Sequence, residues 1–166
     1  MALSARQLQG LIAGVVVVLD QVVKALVRSR MELFESTTLI PAVLSLTRVH
    51  NTGAAFGMLN GADFPYKTLV VGVIATAALS GLAIYAATLD ASQRLSRLGL
   101  ALIIGGAAGN LIDRIVYGYV LDFVDAYYGN WHFWAFNVAD AAITVGVALM
   151  ILEILGMGRP RVSRAV

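Results

Sequence analysis

Four long apolar segments constrain this chain more than any other feature of its sequence. They cover residues 8–27, 66–89, 98–116 and 137–157, and each is close to the about 20 apolar residues that a helix needs to cross a bilayer. Hydrophobic residues make up 59% of the 166 residues and charged residues 13%, against about 25% charged in ordinary soluble domains. We therefore predict one domain, residues 1–166, that is an all-α membrane protein with four transmembrane helices.

The composition excludes several classes of function. The net charge of +2 comes from scattered arginines without a basic block, so we expect no nucleic acid partner. The chain has no cysteine, which excludes disulfides, thiol nucleophiles and cysteine-ligated zinc. His50 and His132 are too few for most histidine-based metal sites and have no serine clustered with them. We expect neither a metal ion nor a cofactor.

Positively charged residues set the expected orientation. Arg6 precedes the first segment, Arg94 and Arg97 join the second to the third, and three more arginines follow the fourth. With four spans, all of these lie on one side, which the positive-inside rule assigns to the cytoplasm. The aromatic residues of 131–136 suit the opposite, outer interface. Both termini are therefore expected in the cytoplasm.

Residues 34–64 are not helical in pattern. Segment 43–49 partly alternates apolar and polar residues and is rich in β-branched ones, which predicts a strand. Residues 51–53 then predict a turn, and 54–59 a returning strand. The result is a small β-sheet on the outer surface beside the helix ends. On this pattern alone, Asn51 is a turn residue of the kind that tolerates positive φ.

Charged side chains also lie within the apolar segments. Asp20 and Lys24 are four residues apart, so they share a helix face in the better order for an ion pair. This predicts a self-neutralising pair that locks the first helix to its neighbours, with a direct role at a substrate as the alternative. In the third segment Asn110, Asp113 and Arg114 lie toward one face. Asp113 is expected to pair with Arg114 or with a neighbouring helix.

Glycines lie on both sides of this polar group in the sequence. Gly105, Gly106 and Gly109 should let membrane helices approach closely. Gly118 should end the third helix, after which residues 120–123 run near the outer interface. Because the fourth segment begins outside with Asn137, these positions predict one common depth for three aspartates: Asp113, Asp122 and Asp140.

A pair of aspartates at one depth permits acid–base chemistry. Two close carboxylates cannot both ionise cheaply, so the pair shares a proton. One member can then activate a water while the other polarises or protonates a carbonyl, as aspartic proteolysis requires. The alternative is structural: acids that pair with Arg114 or cap the fourth helix. The residues alone do not choose Asp122 over Asp113.

Two other classes of function explain buried acids. A small transporter or channel subunit would use them to relay protons or ions, although the polar groups then should cross the bilayer instead of collecting at one outer level. A non-catalytic lipid-binding scaffold would tolerate aspartate-to-asparagine changes.

Five ordered motif blocks resemble those of the lipoprotein signal peptidases, also called type II signal peptidases. The resemblance covers nearly the whole chain and implies a four-helix membrane aspartyl endopeptidase with a small outer β-cradle. It also implies cleavage of signal peptides from bacterial prolipoproteins, just before a cysteine that carries a diacylglyceryl group. The blocks are Asp20-x-x-x-Lys24, Asn51-x-Gly53-Ala54-Ala55-Phe56, Gly106-Ala107-x-Gly109-Asn110-x-x-Asp113-Arg114, Val120-x-Asp122-Phe123 and Phe136-Asn137-x-Ala139-Asp140-x-x-Ile143.

The resemblance implies a role for each motif residue. Asp122 and Asp140 would be the catalytic dyad. The partners would be the diacylglyceryl prolipoprotein and membrane lipid. The enzyme would be a monomer in the bacterial cytoplasmic (inner) membrane, and its active site would lie at the outer face. The residues that would bind substrate or support the dyad are Asn51, Gly106, Asn110, Arg114, Asn137, Asp20, Lys24 and Asp113.

Overall fold

The computed structural model describes residues 3–53, 62 and 65–157 of the chain. Within them lie four helices and four strands. The helices are α1 (Ala5–Arg30), α2 (Lys67–Thr88), α3 (Arg94–Tyr117) and α4 (Val138–Ile154). The strands are β1 (Ser36–Ile40), β2 (Leu44–Asn51), β3 (Val120–Tyr128) and β4 (Trp131–His132).

The helices confirm a mostly helical membrane fold. Among the described residues, three helices, α1, α2 and α3, are long and apolar enough to cross a bilayer. Helix α4 has 17 residues, the lower end of the about 17–25 residues that can span, so the count of four spans stays a prediction. Only Val71 of α2 is buried, and the other side chains of that helix leave a wide apolar face toward the surroundings.

Local sequence signals determine where two of the helices begin and end. The predicted break at Gly118 is confirmed, because this residue caps α3 with a left-handed φ of +78° that a residue without Cβ adopts freely. Asn137 caps α4 through a capping box: its side chain accepts from the Asp140 amide at 3.0 Å, and the Asp140 side chain accepts from the Asn137 amide at 3.3 Å.

The glycines of α3 bring three helix backbones together. A Cβ at Gly105 would lie 2.7 Å from the Ala13 carbonyl oxygen of α1, and one at Gly106 would overlap the Ala139 carbonyl of α4. A Cβ at Gly109 would lie 2.6 Å from the Asp20 carboxylate. The predicted close approach is therefore confirmed, and α3 is the central helix against which α1 and α4 pack.

The strands form one antiparallel sheet in the order β1-β2-β3-β4. The predicted strand at 43–49 is confirmed as β2, whereas the second predicted strand, 54–59, lies outside the described residues. The sequence did not predict β1 or the strand character of Val120–Tyr128. Strand β3 is the partner of β2, with Val49 opposite Asp122 and Asn51 opposite Val120. Asp122 is therefore a strand residue.

An apolar cluster joins the sheet to the helices. Val27 and Met31 at the end of α1 pack with Leu121 and Phe123 of β3, and all four are buried. Since Leu121 and Phe123 flank Asp122 in the strand, this packing fixes the depth of Asp122 relative to the helix ends. The site therefore lies where the sheet meets the bundle.

Candidate active site

Asp122 is held between two asparagine side chains. Its Oδ1 accepts a hydrogen bond from Asn137 Nδ2 at 2.7 Å, and its Oδ2 accepts one from Asn51 Nδ2 at 3.1 Å. Asp122 as a whole residue is only 3% exposed. Asp122 thus sits in a nearly dry environment that offers it neutral amide donors.

Asp140 lies in the first turn of α4 and is held by a second set of donors. Its Oδ1 accepts from Asn110 Nδ2 at 2.8 Å, while its Oδ2 accepts from the backbone amide of Asn137. Asn137 therefore contacts both acids, because its side chain donates to Asp122 and its backbone donates to Asp140. The structure brings together these two acids and three amides, all of them residues singled out by sequence.

Asp122 resists ionisation. Burial is the largest cause, and the neighbouring Asp140 carboxyl is the next; together they raise the pKa of Asp122 from 3.8 to about 7. The hydrogen bonds from Asn51 and Asn137 favour the ionised form and only partly offset this shift. Near neutral pH Asp122 can consequently hold a proton that an ordinary aspartate would have lost.

Asp113 belongs to a different cluster. Its carboxylate forms ion pairs with Lys24 at 3.1 Å and Arg28 at 2.7 Å, and it accepts from the Leu121 amide at 3.0 Å. Of the two pairings predicted for Asp113, the one with a neighbouring helix is confirmed and the one with Arg114 is wrong. Paired cations stabilise the ionised form of this acid, which distinguishes it from Asp122.

The predicted pair of Asp20 and Lys24 is confirmed, at 2.8 Å and with both side chains fully buried. Asp20 also accepts from the backbone amide of Ala139 at 3.0 Å. Since Ala139 precedes Asp140, this bond ties α1 to the turn of α4 that carries the second acid.

Arg114 connects α3 to the turn after β2. Its guanidinium donates to the Gly53 carbonyl at 2.9 Å and to the Asn110 carbonyl at 3.2 Å. Gly53 in turn donates its amide to Asn51 Oδ1 at 3.0 Å, which closes a short turn through the Asn51 side chain. The prediction that Asn51 is a turn residue of positive φ is wrong, because Asn51 is the last residue of β2 and has a negative φ. Arg114 also lines a groove of about 660 Å³ between α2 and α3, whose other lining includes Leu69, Val73, Leu111 and Ile115.

Two members of this arrangement escaped the sequence argument. Arg28 is not among the residues predicted from the sequence, yet it follows Lys24 by four residues and therefore continues the face of Asp20 and Lys24. Gln21 donates to the Gly109 carbonyl at 3.1 Å and to Asp20 at 3.2 Å. The spacing of four residues from Lys24 could have identified Arg28 from the sequence, whereas no sequence pattern pointed to Gln21.

The two histidines have their own ring and side-chain partners. His50 stacks on Tyr119 with 3.6 Å between ring centroids, and His132 lies 3.0 Å from Asp125. Across residues 3–53, 62 and 65–157, no group of three or more His, Asp or Glu side chains is placed to hold a metal ion.

Apolar helices, a small antiparallel sheet and two buried carboxyls at their junction define a membrane protein with a candidate acid–base site. Comparison with known proteins assigns it further. The family described as signal peptidase (SPase) II matches residues 12–156, and the chain belongs to that family. It is therefore a membrane peptidase, which confirms the resemblance carried by the five motif blocks and replaces the transporter alternative.

Individual relatives agree with this assignment. The lipoprotein signal peptidase of Maridesulfovibrio salexigens is 46% identical over 88% of this chain and 94% of its own length. That of Geobacter metallireducens is 41% identical over 87% of this chain and 88% of its own. A solved bacterial membrane enzyme superposes with a TM-score of 0.78 at 31% identity, covering 95% of this chain and 93% of its own.

Proposed function

We propose that this chain is an aspartyl endopeptidase of the bacterial cytoplasmic membrane that removes signal peptides from diacylglyceryl-modified prolipoproteins. It would cut on the N-terminal side of the lipidated cysteine. Relatives named lipoprotein signal peptidase, at 41% and 46% identity, support the substrate class. The observation that carries the mechanism is the contact of Asn137 with both Asp122 and Asp140, because it makes the two acids one unit.

The proposed reaction begins with Asp122 protonated and Asp140 ionised. Asp140 takes a proton from a water molecule while the water oxygen attacks the scissile carbonyl carbon, and Asp122 gives its proton to the carbonyl oxygen. The tetrahedral intermediate then collapses. The C–N bond breaks, Asp140 gives its proton to the leaving nitrogen, and Asp122 recovers a proton from the intermediate. The raised pKa of Asp122, about 7, supports the presence of a proton on this acid near neutral pH.

The surrounding residues have supporting roles in this proposal. Asn51, Asn110 and Asn137 orient the two acids, and Arg114 places a cation at the edge of the site beside the Asn51 turn. Asp20, Lys24 and Asp113 tie α1 to α3 and α4 beneath the dyad. Gly106 allows α4 to approach α3 closely enough for Asn110 to reach Asp140 at 2.8 Å.

The proposed topology has four spans, cytoplasmic termini and a site at the outer face. At about 1.5 Å per residue, α4 is about 26 Å long, close to the hydrocarbon thickness of a bilayer. Arg6 donates to the Ala87 carbonyl and Arg97 to the Leu89 carbonyl, so these cations lie at the end of the bundle away from the sheet. By the positive-inside rule, this distribution of cations supports an outer position for the sheet and the dyad.

Exposed apolar residues of the sheet support a site close to lipid. Large side chains that are more than half exposed lie in or beside its strands, namely Phe34, Leu39, Ile40, Tyr128 and Trp131. Such residues suit the membrane interface, where the diacylglyceryl group of a substrate would lie. We propose a single domain that acts as a monomer, since Asp122 and Asp140 come from the same chain.

The test is cleavage of a defined substrate. Purified protein in detergent is incubated with a synthetic diacylglyceryl lipobox peptide, and the products are identified by mass spectrometry. We expect one cut, before the lipidated cysteine, that survives chelators and serine-directed reagents and is absent with the unlipidated peptide. Activity that a chelator removes and zinc restores would contradict the aspartyl mechanism.

A further inference from the structure

Lys24 is a fully buried ammonium with a complete set of acceptors. It lies 2.8 Å from Asp20 Oδ2, 3.1 Å from Asp113 Oδ2 and 2.9 Å from Asn110 Oδ1. An ammonium has three N–H donors and no acceptor. The atom of the Asn110 amide that faces Lys24 must therefore be its oxygen.

This constraint decides what Asn110 presents to the dyad. With its oxygen turned to Lys24, the amide turns its nitrogen to Asp140, and Asn110 Nδ2 lies 2.8 Å from Asp140 Oδ1. A flipped amide would bring its oxygen against the Asp140 carboxylate, where two acceptors repel. Lys24 thus controls a hydrogen bond to the dyad that it does not itself make.

The other two asparagines at the dyad are oriented by backbone amides. Asn51 Oδ1 accepts from the Gly53 amide and Asn137 Oδ1 from the Asp140 amide, each at 3.0 Å. Asn110 Oδ1 is different among the described residues, because its donors are the side chains of Lys24 and Asn137. Its orientation therefore depends on side chains that a point mutation can remove.

We propose that Lys24 is a positioning residue of the dyad, which acts by fixing the Asn110 amide so that it donates to Asp140 and keeps Asp140 ionised as the base. This inference rests on the proposed function of Asp140. Asp20 and Asp113 compensate the charge of Lys24, so that it can stay an ammonium in a dry environment. The charged groups that surround Lys24 and Asp140 are Asp20 on α1, Asp113 and Arg114 on α3, and Asp122 on β3.

The experiment removes Lys24 without leaving an unpaired acid behind. Asp20→Asn serves as the reference, since it retains Lys24, Asp113 and Asn110. The double variant Asp20→Asn with Lys24→Met removes one acid and one base together, and Asp113 keeps Arg28 at 2.7 Å. Each variant is measured by cleavage of the lipopeptide for kcat and KM across pH, and by a melting curve.

Relative to Asp20→Asn, the double variant should lose about tenfold to a hundredfold in kcat, the size of a hydrogen bond to a charged group. KM should change little. The acidic limb of the kcat profile should move to higher pH, because the ionised base has lost a donor. Adding Asn110→Ala to the double variant should lower kcat almost no further. In the Asp20→Asn reference, Asn110→Ala should lower kcat by the full tenfold to hundredfold.

Arg28→Met is the matched control. It removes a cation from the same acid cluster on the same helix but from a residue without contact to Asn110, so it should lower the melting temperature and leave the pH profile in place. An unchanged kcat profile in the double variant, or losses that multiply when Asn110→Ala is added, would overturn the role of Lys24. Cleavage by Asp140→Asn would instead overturn the proposed dyad itself, and the role of Lys24 with it.

Discussion

Asn51 Nδ2 lies 3.1 Å from Asp122 Oδ2, although the two residues are 71 positions apart in the chain. The pairing of β2 with β3 makes this contact possible, with Asn51 opposite Val120 and Val49 opposite Asp122. A slip of one residue in that register would turn Asp122 to the other face of the sheet. The geometry of one acid of the dyad is therefore a property of strand pairing.

Asp122→Asn and Asp140→Asn should each abolish peptide cleavage. Both changes retain side-chain shape but remove an ionisable group, and the double variant should be little worse, because members of one catalytic unit are strongly non-additive. Neither should lower the melting temperature, since repulsion between the carboxyls is relieved. Measurable turnover by either single variant would contradict the assignment of the dyad.

Asp113→Asn should act mainly on stability. The change removes an ion-pair partner from both Lys24 and Arg28, and breaking a buried pair costs about 3–5 kcal/mol. Melting curves in detergent should show a clear decrease, with cleavage retained below the melting temperature. If Asp113→Asn melts like wild type yet is inactive, while Asp122→Asn still turns over, the dyad is Asp113 with Asp140.

The stability of the protein should depend on pH because of Asp122. Its pKa is 3.8 when exposed and about 7 in the fold, so folding takes up a proton between these values, and the stability from this group decreases as pH rises through that window. The Asp122→Asn variant lacks this pH-dependent contribution to stability. The melting temperature of Asp122→Asn minus that of the wild type should therefore increase from pH 4 to 7 and stay constant above pH 7. A difference that does not vary with pH would contradict the shifted pKa.

Gly106→Ala should weaken both stability and activity. Its Cβ would overlap the Ala139 carbonyl and push away the turn of α4 that carries Asp140, at a cost typical of overpacking, about 1–3 kcal/mol. Gly81→Ala in α2 is the matched control, because a Cβ there meets nothing within 4 Å, and replacing a helical glycine by alanine is mildly stabilising. Equal melting temperatures for the two variants would contradict the close contact of α3 and α4.

Reporter fusions should separate the two sides of the membrane. A fusion in the connection between β2 and α2, near residue 62, should report the outer side, and a fusion at the C-terminus the cytoplasm. A fusion in the connection between α2 and α3, at Asp90, provides the control and should match the C-terminus. Fusions near residue 62 and at the C-terminus that report the same side would contradict the four-span topology.

Local spacing accounts for the parts of the fold that the sequence predicted. The pair of Asp20 and Lys24, the helix end at Gly118 and the start of α4 at Asn137 all depend on residues within four positions of one another. The pairing of β2 with β3 does not, because it joins segments about 70 residues apart. The predicted depth in the membrane also could not distinguish Asp113 from Asp122. Asp113 pairs with cations and Asp122 with amides, and this difference arises from tertiary packing.

The capping box of α4 gives the dyad an unusual vulnerability. Asn137 and Asp140 close the first turn of this helix, and the same Asn137 side chain donates through Nδ2 to Asp122. Helix ends fray at far lower free energy than a whole domain unfolds. Fraying of this one turn would separate Asp122 from Asp140, so heat should inactivate the peptidase reversibly at temperatures where the rest of the bundle is still folded.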